Sequence, residues 1–542
     1  MSASSKKKLR KEQTTAQMTE KQRAEQKEAK KLKLYTAAFV AVVAIVLVVA
    51  IVVGATQTIA NSGIREKNTV ALTVGEHKIS NAELNYYFID SVNNFKSQYG
   101  TYAAMFGMDV TKPLDEQVYD EATGMTWADY FLASAKDSVL SVYALNDAAV
   151  AAGHTLTAEE QGIIDSNLAT MEMYGVLYGY EDGESYLKAM YGRGASSEGY
   201  RKYMEMAALA DSYYGTYGAS LTYTDADYRA AEAENYNAYS SYTYNHYYLA
   251  TNKFLTGGTT AEDGTVTYSD EERAAAEEAA ETAANSLVGE EITSVEALDE
   301  AIAALSINAE TTAASTLCEN YGYNSVTQLL REWVTDDARA EGDMTVIPNV
   351  TTDADGKETT SGYYVVRFQN CDDNTFALKN VRHILVKFEG GTTDEATGTT
   401  TYTVQEKEAA KTAAEELLAT WKAGEATEDS FAALANEHSD DGDGTTGGLY
   451  TYVYPGQLVA NFNDWCFDAS RTTGETGVIE TEYGYHVMYF VGDSDLTYRD
   501  YQIRNELLSA DLESWYTGLR EAVTVTEGNT QYLTTSIVLG TN

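Results

Sequence analysis

Two histidines lie in short apolar segments about a hundred residues apart. His383 lies within 381–386 and His486 within 484–488, and each segment has the run of apolar and β-branched residues typical of a strand. A histidine inside a strand is more often a hydrogen-bonded core residue than a catalytic one. The sequence has only six histidines. Two of them on strands that bracket one compact module therefore predict a shared site.

Further candidate residues lie between and beside these strands. Two helical patterns follow the first strand, and then comes the polar, glycine-rich loop 439–448, which contains Asp441. An apolar segment carries Leu458 and Phe462, and Thr481 and Tyr483 immediately precede the second histidine strand. The order is therefore strand, two helices, glycine-rich loop, apolar segment and strand.

In this order and in these residues, segment 378–493 resembles the parvulin family of peptidyl-prolyl isomerases. The resemblance implies that His383 and His486 are the family's paired histidines on neighbouring strands, and that Asp441 faces the substrate carbonyl. We therefore expect these three residues to be catalytic.

The same resemblance implies the substrate-binding residues. Leu458 and Phe462 match the family's residues that line the proline pocket, and Thr481 and Tyr483 match the positions before the second histidine strand. Rotation about an X–Pro bond crosses a barrier of about 18–20 kcal/mol set by amide resonance. A catalyst can lower it by favouring the twisted amide, so we expect no cofactor and no metal ion.

Two features of the module depart from the family pattern. Segment 447–451 begins with the paired glycines, and the residues that follow them differ from the family pattern. The alignment of the chain with the family after Gly448 is therefore not fixed by the sequence. The loop after the first strand, 388–395, is acidic where phosphate-specific members are basic, which disfavours recognition of phosphorylated Ser/Thr-Pro. The loop 440–444 has calcium-type residues, but Tyr452 stands where an EF-hand has its bidentate Glu, so a plain loop is favoured.

Segment 236–372 contains an internal repeat of this module. His246 parallels His383, but Tyr364 stands where the second copy has His486, and the paired glycines are missing. Six residues of each copy match in one ungapped register: Trp333, Asp336, Arg339, Gly342, Asp343 and Val346 with Trp465, Asp468, Arg471, Gly474, Glu475 and Val478. We interpret the first copy as a degenerate parvulin-like domain.

Residues 59–235 are dominated by amphipathic helical patterns. A predicted hairpin at 70–79 has its turn at Gly75. Ser80 and Glu83 then resemble a capping box at the start of a helix. A further helix is predicted to stop at Gly153. This segment resembles the helical chaperone domain of SurA-type and PrsA-type foldases. An amphipathic C-terminal helix is expected to pack back on it, as in PrsA-like chains.

Charge and hydropathy divide the N-terminus from the rest. Residues 1–34 carry eleven Lys/Arg and four Glu, whereas the remaining residues carry 27 basic and 78 acidic side chains. Residues 34–64 are uncharged, which is long enough to cross a bilayer. The positive-inside rule then predicts a cytoplasmic N-terminus and an extracytoplasmic body. The alternative is a cleavable signal peptide. The acidic body argues against nucleic acid as a partner.

The sequence therefore predicts an α+β protein of a bacterial cell membrane. Its expected parts are a basic arm (1–34), a transmembrane anchor (35–58), a helical chaperone domain (59–235), a degenerate parvulin-like domain (236–372), a parvulin isomerase domain (377–496) and a C-terminal helical segment (497–542). Each parvulin-like domain should be a small antiparallel sheet flanked by helices. Three widely spaced cysteines, Cys318, Cys371 and Cys466, form no disulfide framework.

The expected function is isomerisation and chaperoning of newly exported, unfolded chains that contain X–Pro bonds. Two alternatives stay open, a holdase chaperone with purely structural parvulin modules and a surface adhesin. The sequence leaves the client proteins and the oligomeric state open.

Overall fold

The computed structural model describes residues 4–8, 30, 33, 42–48, 62–308, 312–352, 356–395, 397–442 and 444–539. Most of the predicted basic arm and of the predicted anchor 35–58 lies outside these residues, although 42–48 are helical. Among the described residues, no helix is both long enough and apolar enough to span a membrane.

From residue 62 onward the chain alternates helical and stranded regions. The helices are α1 (Ile64–Asn68), α2 (Asn81–Tyr99), α3 (Trp127–Ala151), α4 (Ala158–Leu177), α5 (Gly183–Tyr191), α6 (Ser197–Ser220), α7 (Asp225–Glu234), α8 (Asp270–Asn285), α9 (Val295–Ala304), α10 (Gln328–Val334), α11 (Val404–Ala423), α12 (Glu428–His438), α13 (Ala460–Phe467) and α14 (Tyr498–Glu521).

The strands are β1 (Val70–Val74), β2 (His77–Ser80), β3 (Val118–Asp120), β4 (Met125–Thr126), β5 (Ser241–Ala250), β6 (Thr259–Thr260), β7 (Val266–Thr267), β8 (Thr316–Gly322), β9 (Met344–Thr352), β10 (Glu358–Asp372), β11 (Ala377–Lys387), β12 (Thr392–Thr393), β13 (Thr400–Thr401), β14 (Leu449–Val453), β15 (Thr476–Glu480), β16 (Gly484–Thr497) and β17 (Val525–Glu527). The chain divides into two compact units, residues 1–221 with 511–542, and residues 222–510.

The N-terminal unit is a helical body with a small sheet. Strands β1 and β2 form the predicted hairpin, and Gly75 at its turn has a φ of 57°, a conformation that glycine adopts without strain. Helices α2 and α3 supply most of the core, in which Phe88, Phe131 and Val139 are fully buried. Helix α3 ends just before Gly153, whose φ is 72°.

One predicted helix cap is only half formed. The Ser80 hydroxyl accepts a hydrogen bond from the Glu83 backbone N–H, as expected at an N-cap. The Glu83 carboxylate does not return the bond. It instead accepts from the Tyr143 hydroxyl and from Lys202 Nζ, at 3.1 Å in the second case. This interaction joins α2 to α3 and α6.

The C-terminal segment belongs partly to the N-terminal unit. Strand β17 pairs antiparallel with β1, and Asn81 Nδ2 donates a hydrogen bond to the Asn529 carbonyl at 2.7 Å. Trp515 of α14 stacks on Tyr217 of α6 with ring centroids 3.8 Å apart. The segment is thus not wholly helical, as the sequence had suggested, because it also adds a strand to the sheet.

The second unit contains two four-stranded antiparallel sheets with the same strand order. One has the order β8-β5-β10-β9, and the other has β14-β11-β16-β15. In each sheet the first strand along the chain and the last are the central pair. Helices α8 and α9 follow the first strand of one sheet, and α11 and α12 follow that of the other.

The residues of the ungapped sequence match make the same contacts in both copies. The guanidinium of Arg339 lies 4.9 Å from the Trp333 ring, and that of Arg471 lies 4.1 Å from the Trp465 ring. Gly342 and Gly474 both have a left-handed φ, of 91° and 83°. The copies therefore share a turn that depends on one cation–π contact and one glycine.

A buried arginine joins the elements at the entrance and exit of this unit. Arg499, at the start of α14, forms an ion pair with Glu232 of α7 and lies 3.8 Å from the Tyr236 ring. Its guanidinium also donates to the backbone carbonyls of Tyr236, at 2.8 Å, and Asp373, at 3.3 Å. A charge this deeply buried is stable only when its donors are paired in this way.

Candidate active site

The two histidines of the second copy lie side by side on the central strands of its sheet. Strands β11 and β16 are antiparallel, with His383 opposite Met488 and His486 opposite Leu385. The histidines are therefore diagonal neighbours, two residues apart in register, with side chains on the same face. Their rings stack with centroids 5.2 Å apart.

A chain of hydrogen bonds runs through both rings. His383 Nδ1 lies 3.0 Å from His486 Nδ1, and His383 Nε2 lies 3.1 Å from a carboxylate oxygen of Asp441. At the other end, His486 Nε2 lies 2.8 Å from the Thr481 hydroxyl. The Thr481 oxygen also accepts the Tyr483 backbone N–H at 3.2 Å. Thus four predicted site residues are linked in one network, and Tyr483 joins it through its backbone.

When both histidines are neutral and Asp441 is a carboxylate, the donors and acceptors give this chain a single direction. His383 then donates through Nε2, so its Nδ1 accepts from His486 Nδ1–H. His486 Nε2 is consequently an acceptor for the Thr481 hydroxyl. Each bond of the chain then has one donor and one acceptor.

Burial keeps both histidines neutral. The pKa of His383 is lowered by burial, against the opposing effect of the Asp441 charge. Burial and the charge of His383 lower the pKa of His486 to about 4. The side chain of His383 is only 2% exposed, whereas that of Asp441 is 39% exposed. Asp441 is thus the member of the network that a substrate can reach most readily.

The loop that carries Asp441 is bonded to the first histidine strand. The Ser439 hydroxyl accepts the Leu385 N–H at 3.1 Å, and Asp440 accepts the Lys387 N–H at 2.9 Å. The carbonyl of Gly448 accepts the His383 N–H at 2.9 Å. A Cβ atom at Gly448 would overlap the His383 carbonyl oxygen, so the close approach of loop and strand requires glycine here.

Tyr450 is a site residue that the sequence did not reveal. Its hydroxyl donates to Asp441 at 2.8 Å, and its ring lies 4.7 Å from that of His383. Burial and Asp441 raise the pKa of the Tyr450 hydroxyl to about 12, so it remains a donor at neutral pH. It follows the paired glycines, where the register could not be read from the sequence, and no other signal singled it out.

The predicted substrate-binding residues differ in exposure. Phe462 is buried and presents its ring edge-on to both histidines, at 5.3 and 5.4 Å between centroids. Leu458 is partly buried and packs against the same apolar cluster. Tyr483 is 57% exposed. The apolar surface next to the network is therefore formed by Leu458 and by a small part of Phe462.

The first copy lacks this network. His246 and Tyr364 occupy the places of the two histidines, with ring centroids 5.7 Å apart. His246 Nδ1 is buried, and no group in the part of the chain that the structure describes forms a hydrogen bond with it. Cys318 pairs with Tyr244 as Tyr450 pairs with Val381 in the second copy, so a cysteine stands where Tyr450 contacts Asp441.

No metal centre is formed among the side chains that the structure describes: none of their groups of His, Cys, Asp and Glu is arranged to hold an ion. Asp443 of the glycine-rich loop lies outside the described residues.

Comparison with known proteins identifies the second copy. The family model described as a PPIC-type PPIASE domain matches residues 363–492. No curated protein matches the chain. The match spans the whole hydrogen-bonded network, from His383 to His486.

Solved structures that resemble parts of the chain include prolyl isomerases. The PPIase domain of TbPar42 is 24% identical, with 21% of this chain and 99% of that chain covered and a TM-score of 0.17. The peptidylprolyl isomerase PrsA from Bacillus cereus is also 24% identical, with 27% and 49% covered and a TM-score of 0.17. PrsA from Bacillus subtilis is 14% identical, with 76% and 91% covered and a TM-score of 0.25.

Residues 363–492 are a PPIC-type, parvulin-like peptidyl-prolyl cis-trans isomerase domain, and the chain is an enzyme of that class.

Proposed function

We propose that the chain is a membrane-anchored, extracytoplasmic foldase that isomerises X–Pro bonds in exported proteins and also acts as a chaperone. The observation that carries the catalytic part is the hydrogen-bonded chain from Thr481 through His486 and His383 to Asp441. The anchoring is proposed from the basic arm and the uncharged segment 34–64 of the sequence.

In this proposal the two histidines position Asp441, and Asp441 contacts the substrate. In a planar amide, resonance places negative charge on the carbonyl oxygen, and this charge decreases when the C–N bond twists. A fixed carboxylate beside the oxygen therefore destabilises the planar amide more than the twisted one. This difference between ground state and transition state accelerates rotation.

The apolar surface beside Asp441 is proposed to hold the proline ring. Leu458 and the exposed part of Phe462 supply it, and Tyr483 is placed to cover the substrate chain. The loop 388–395 is acidic and would repel a phosphate group, so phosphorylated substrates are disfavoured.

The test is prolyl isomerase activity of the full chain with and without His486→Ala. Proline-limited refolding of a client should be accelerated by the wild type and not by the variant. Wild-type activity at the uncatalysed rate would leave the holdase alternative, in which both modules are structural.

A further inference from the structure

The N-terminal unit contains a cavity that is separate from the residues of the isomerase site. It has a volume of about 370 Å³ and lies between α2, α3 and α6. Its walls are mainly aromatic, serine and amide side chains. Among the side chains that the structure describes, Asp90 is the one carboxylate that lines it, and no lysine or arginine does.

Asp90 is fixed within the cavity by two tyrosines. Its carboxylate accepts a hydrogen bond from Tyr191 Oη at 3.0 Å and another from the Tyr203 hydroxyl. A carboxylate has about four acceptor positions, so it can still accept from a ligand. Burial raises the pKa of Asp90, and the hydrogen bonds from Tyr203 and Tyr191 oppose that rise.

Aromatic rings line the same cavity as this carboxylate. Tyr87 and Tyr203 meet edge to face with centroids 4.8 Å apart, and Phe95 and Phe131 lie 5.5 Å apart on the facing helices α2 and α3. The Tyr87 hydroxyl is buried and has no hydrogen-bond partner among the described residues. Ring faces beside a carboxylate are the combination that binds an ammonium or guanidinium group.

The rim of the cavity is also aromatic. Tyr99 and Tyr130 line its edge, and Phe106, which is 52% exposed, lies 5.4 Å from the Tyr99 ring. Exposed aromatic residues in one patch are typical of a surface that contacts another chain. The rim can therefore hold the apolar neighbours of a residue that enters the cavity.

We propose that this cavity binds a lysine or arginine side chain of an unfolded client, with Asp90 and the surrounding rings as its receptor. The proposal deepens the proposed chaperone function and depends on it, since it assigns that function a preference for cationic residues flanked by apolar ones. The cationic side chain would complement the charge of Asp90, since no described lysine or arginine lines the cavity.

The experiment measures binding of two fluorescein-labelled peptides to the full-length protein in neutral-lipid nanodiscs. One peptide contains Phe-Lys-Phe within a Gly/Ser chain, and the other differs only by acetylation of the lysine, which removes its charge. The wild type should bind the lysine peptide about tenfold more tightly, since desolvated cation–π contacts and a charge-assisted hydrogen bond are both lost on acetylation.

Two variants assign this preference to the cavity. Asp90→Asn keeps the size of the side chain and should abolish the preference by weakening only the lysine peptide. Asp211→Asn removes the same charge from an exposed position on α6 and should leave the preference unchanged. Ser134→Trp places a large ring at the edge of the cavity and should weaken the lysine peptide even if Asp90→Asn fails to fold.

Equal binding of the two peptides by the wild type would overturn the inference. An equal loss of both peptides in Asp90→Asn would show that the residue is only structural and would also overturn it. Suppression of aggregation of a thermally unfolded client separates the two proposals. If suppression persists without a lysine preference, only this inference fails; if the wild type does not suppress aggregation either, the chaperone function fails with it.

Discussion

Asp441 is held by buried groups but is itself partly exposed, so its charge and its geometry can be tested separately. Asp441→Asn retains an oxygen that can accept from His383 and Tyr450 but removes the negative charge. We expect kcat/KM for a prolyl peptide to fall at least tenfold, because the electrostatic difference between planar and twisted amide is lost. The Tm should stay within a few degrees, measured by calorimetry on the same preparation.

The matched control is Asp440→Asn. Asp440 is the neighbouring carboxylate. It accepts a hydrogen bond from the Lys387 N–H, and an asparagine oxygen can accept the same bond. Activity should therefore remain near that of the wild type. Equal losses in the two variants would mean that the loop, and not the charge of Asp441, supports catalysis.

The neutral histidine pair predicts an acid limit for stability. The pKa of His486 is about 4 in the folded protein and near 6.5 when unfolded, so the unfolded state binds the proton more strongly. The stability that this residue contributes is complete above about pH 6.5 and is lost as pH falls toward 4.

Activity of the folded protein should instead follow the folded-state pKa of about 4: it should hold from pH 7.5 to about 5 and fall as pH approaches 4, because a proton on His486 places a charge in the buried network. The measurement is isomerase activity and Tm between pH 7.5 and 3.5. His438→Gln, which replaces a half-exposed histidine on α12, is the control and should leave the acid limb unchanged. Loss of activity already near pH 6.5 in the folded protein would contradict the assignment of two neutral histidines.

The two copies within the second unit are predicted to differ in catalysis: the second copy isomerises the substrate, and the first copy does not. In the first copy, the buried Nδ1 of His246 has no hydrogen-bond partner within the described ranges, and a cysteine replaces Tyr450. In the full chain, His246→Phe should therefore leave isomerisation unchanged. The variants are made in the full chain because both copies lie within one compact unit, and a separated copy could lose its fold.

The companion variant is His486→Ala, which should reduce the rate of proline-limited refolding to the uncatalysed value. A calorimetric scan of each variant checks that the unit is folded. Substantial activity in folded His486→Ala would indicate that the first copy is also a catalyst, or that the site is elsewhere.

The buried Arg499 should be the most sensitive position of the connecting elements. Arg499→Lys keeps the charge but cannot reach Glu232 and the carbonyls of Tyr236 and Asp373 together. Losing charged hydrogen bonds at a buried site should cost about 3 kcal/mol, or roughly 6–12 °C in the Tm of this unit. Arg504→Lys, on the same helix with a single ring contact, should cost under about 1 kcal/mol.

How far the sequence predicted these elements depended on whether the signal was local. The helices of the N-terminal unit and the hairpin at Gly75 could be predicted from periodicity and caps. Strand β17 could not, because its three residues are exposed and its pairing with β1 joins distant parts of the chain. The reciprocal cap at Glu83 failed because Tyr143 and Lys202, remote in sequence, compete for the carboxylate.

The site divides in the same way. His383, His486, Asp441 and Phe462 could be located through the resemblance to the parvulin family, and the structure brings them together. Tyr450 could not, since two consecutive glycines with left-handed φ values precede it and the sequence does not fix the register after them. Asp90 could not be singled out from the sequence, because the tyrosines that donate to it come from other helices.

At the scale of the whole molecule, charge is the main predictor of behaviour. Outside residues 1–34 the chain has 78 acidic and 27 basic side chains. This excess favours solubility and attracts cationic unfolded segments, while it repels nucleic acid and anionic lipid head groups. The basic arm has the opposite sign, so the two ends of the uncharged segment 34–64 differ sharply in charge.

This asymmetry predicts the topology of the proposed anchor. Because positive charge remains on the cytoplasmic side, protease added to intact cells should degrade the acidic body and leave a small membrane-bound stub. An antibody against a tag at residue 1 would detect the stub, and an abundant cytoplasmic protein must stay intact as the control. Release of the whole body into the medium would indicate a cleaved signal peptide instead. Complete protection of the body in intact cells, with digestion after lysis, would contradict an extracytoplasmic location altogether.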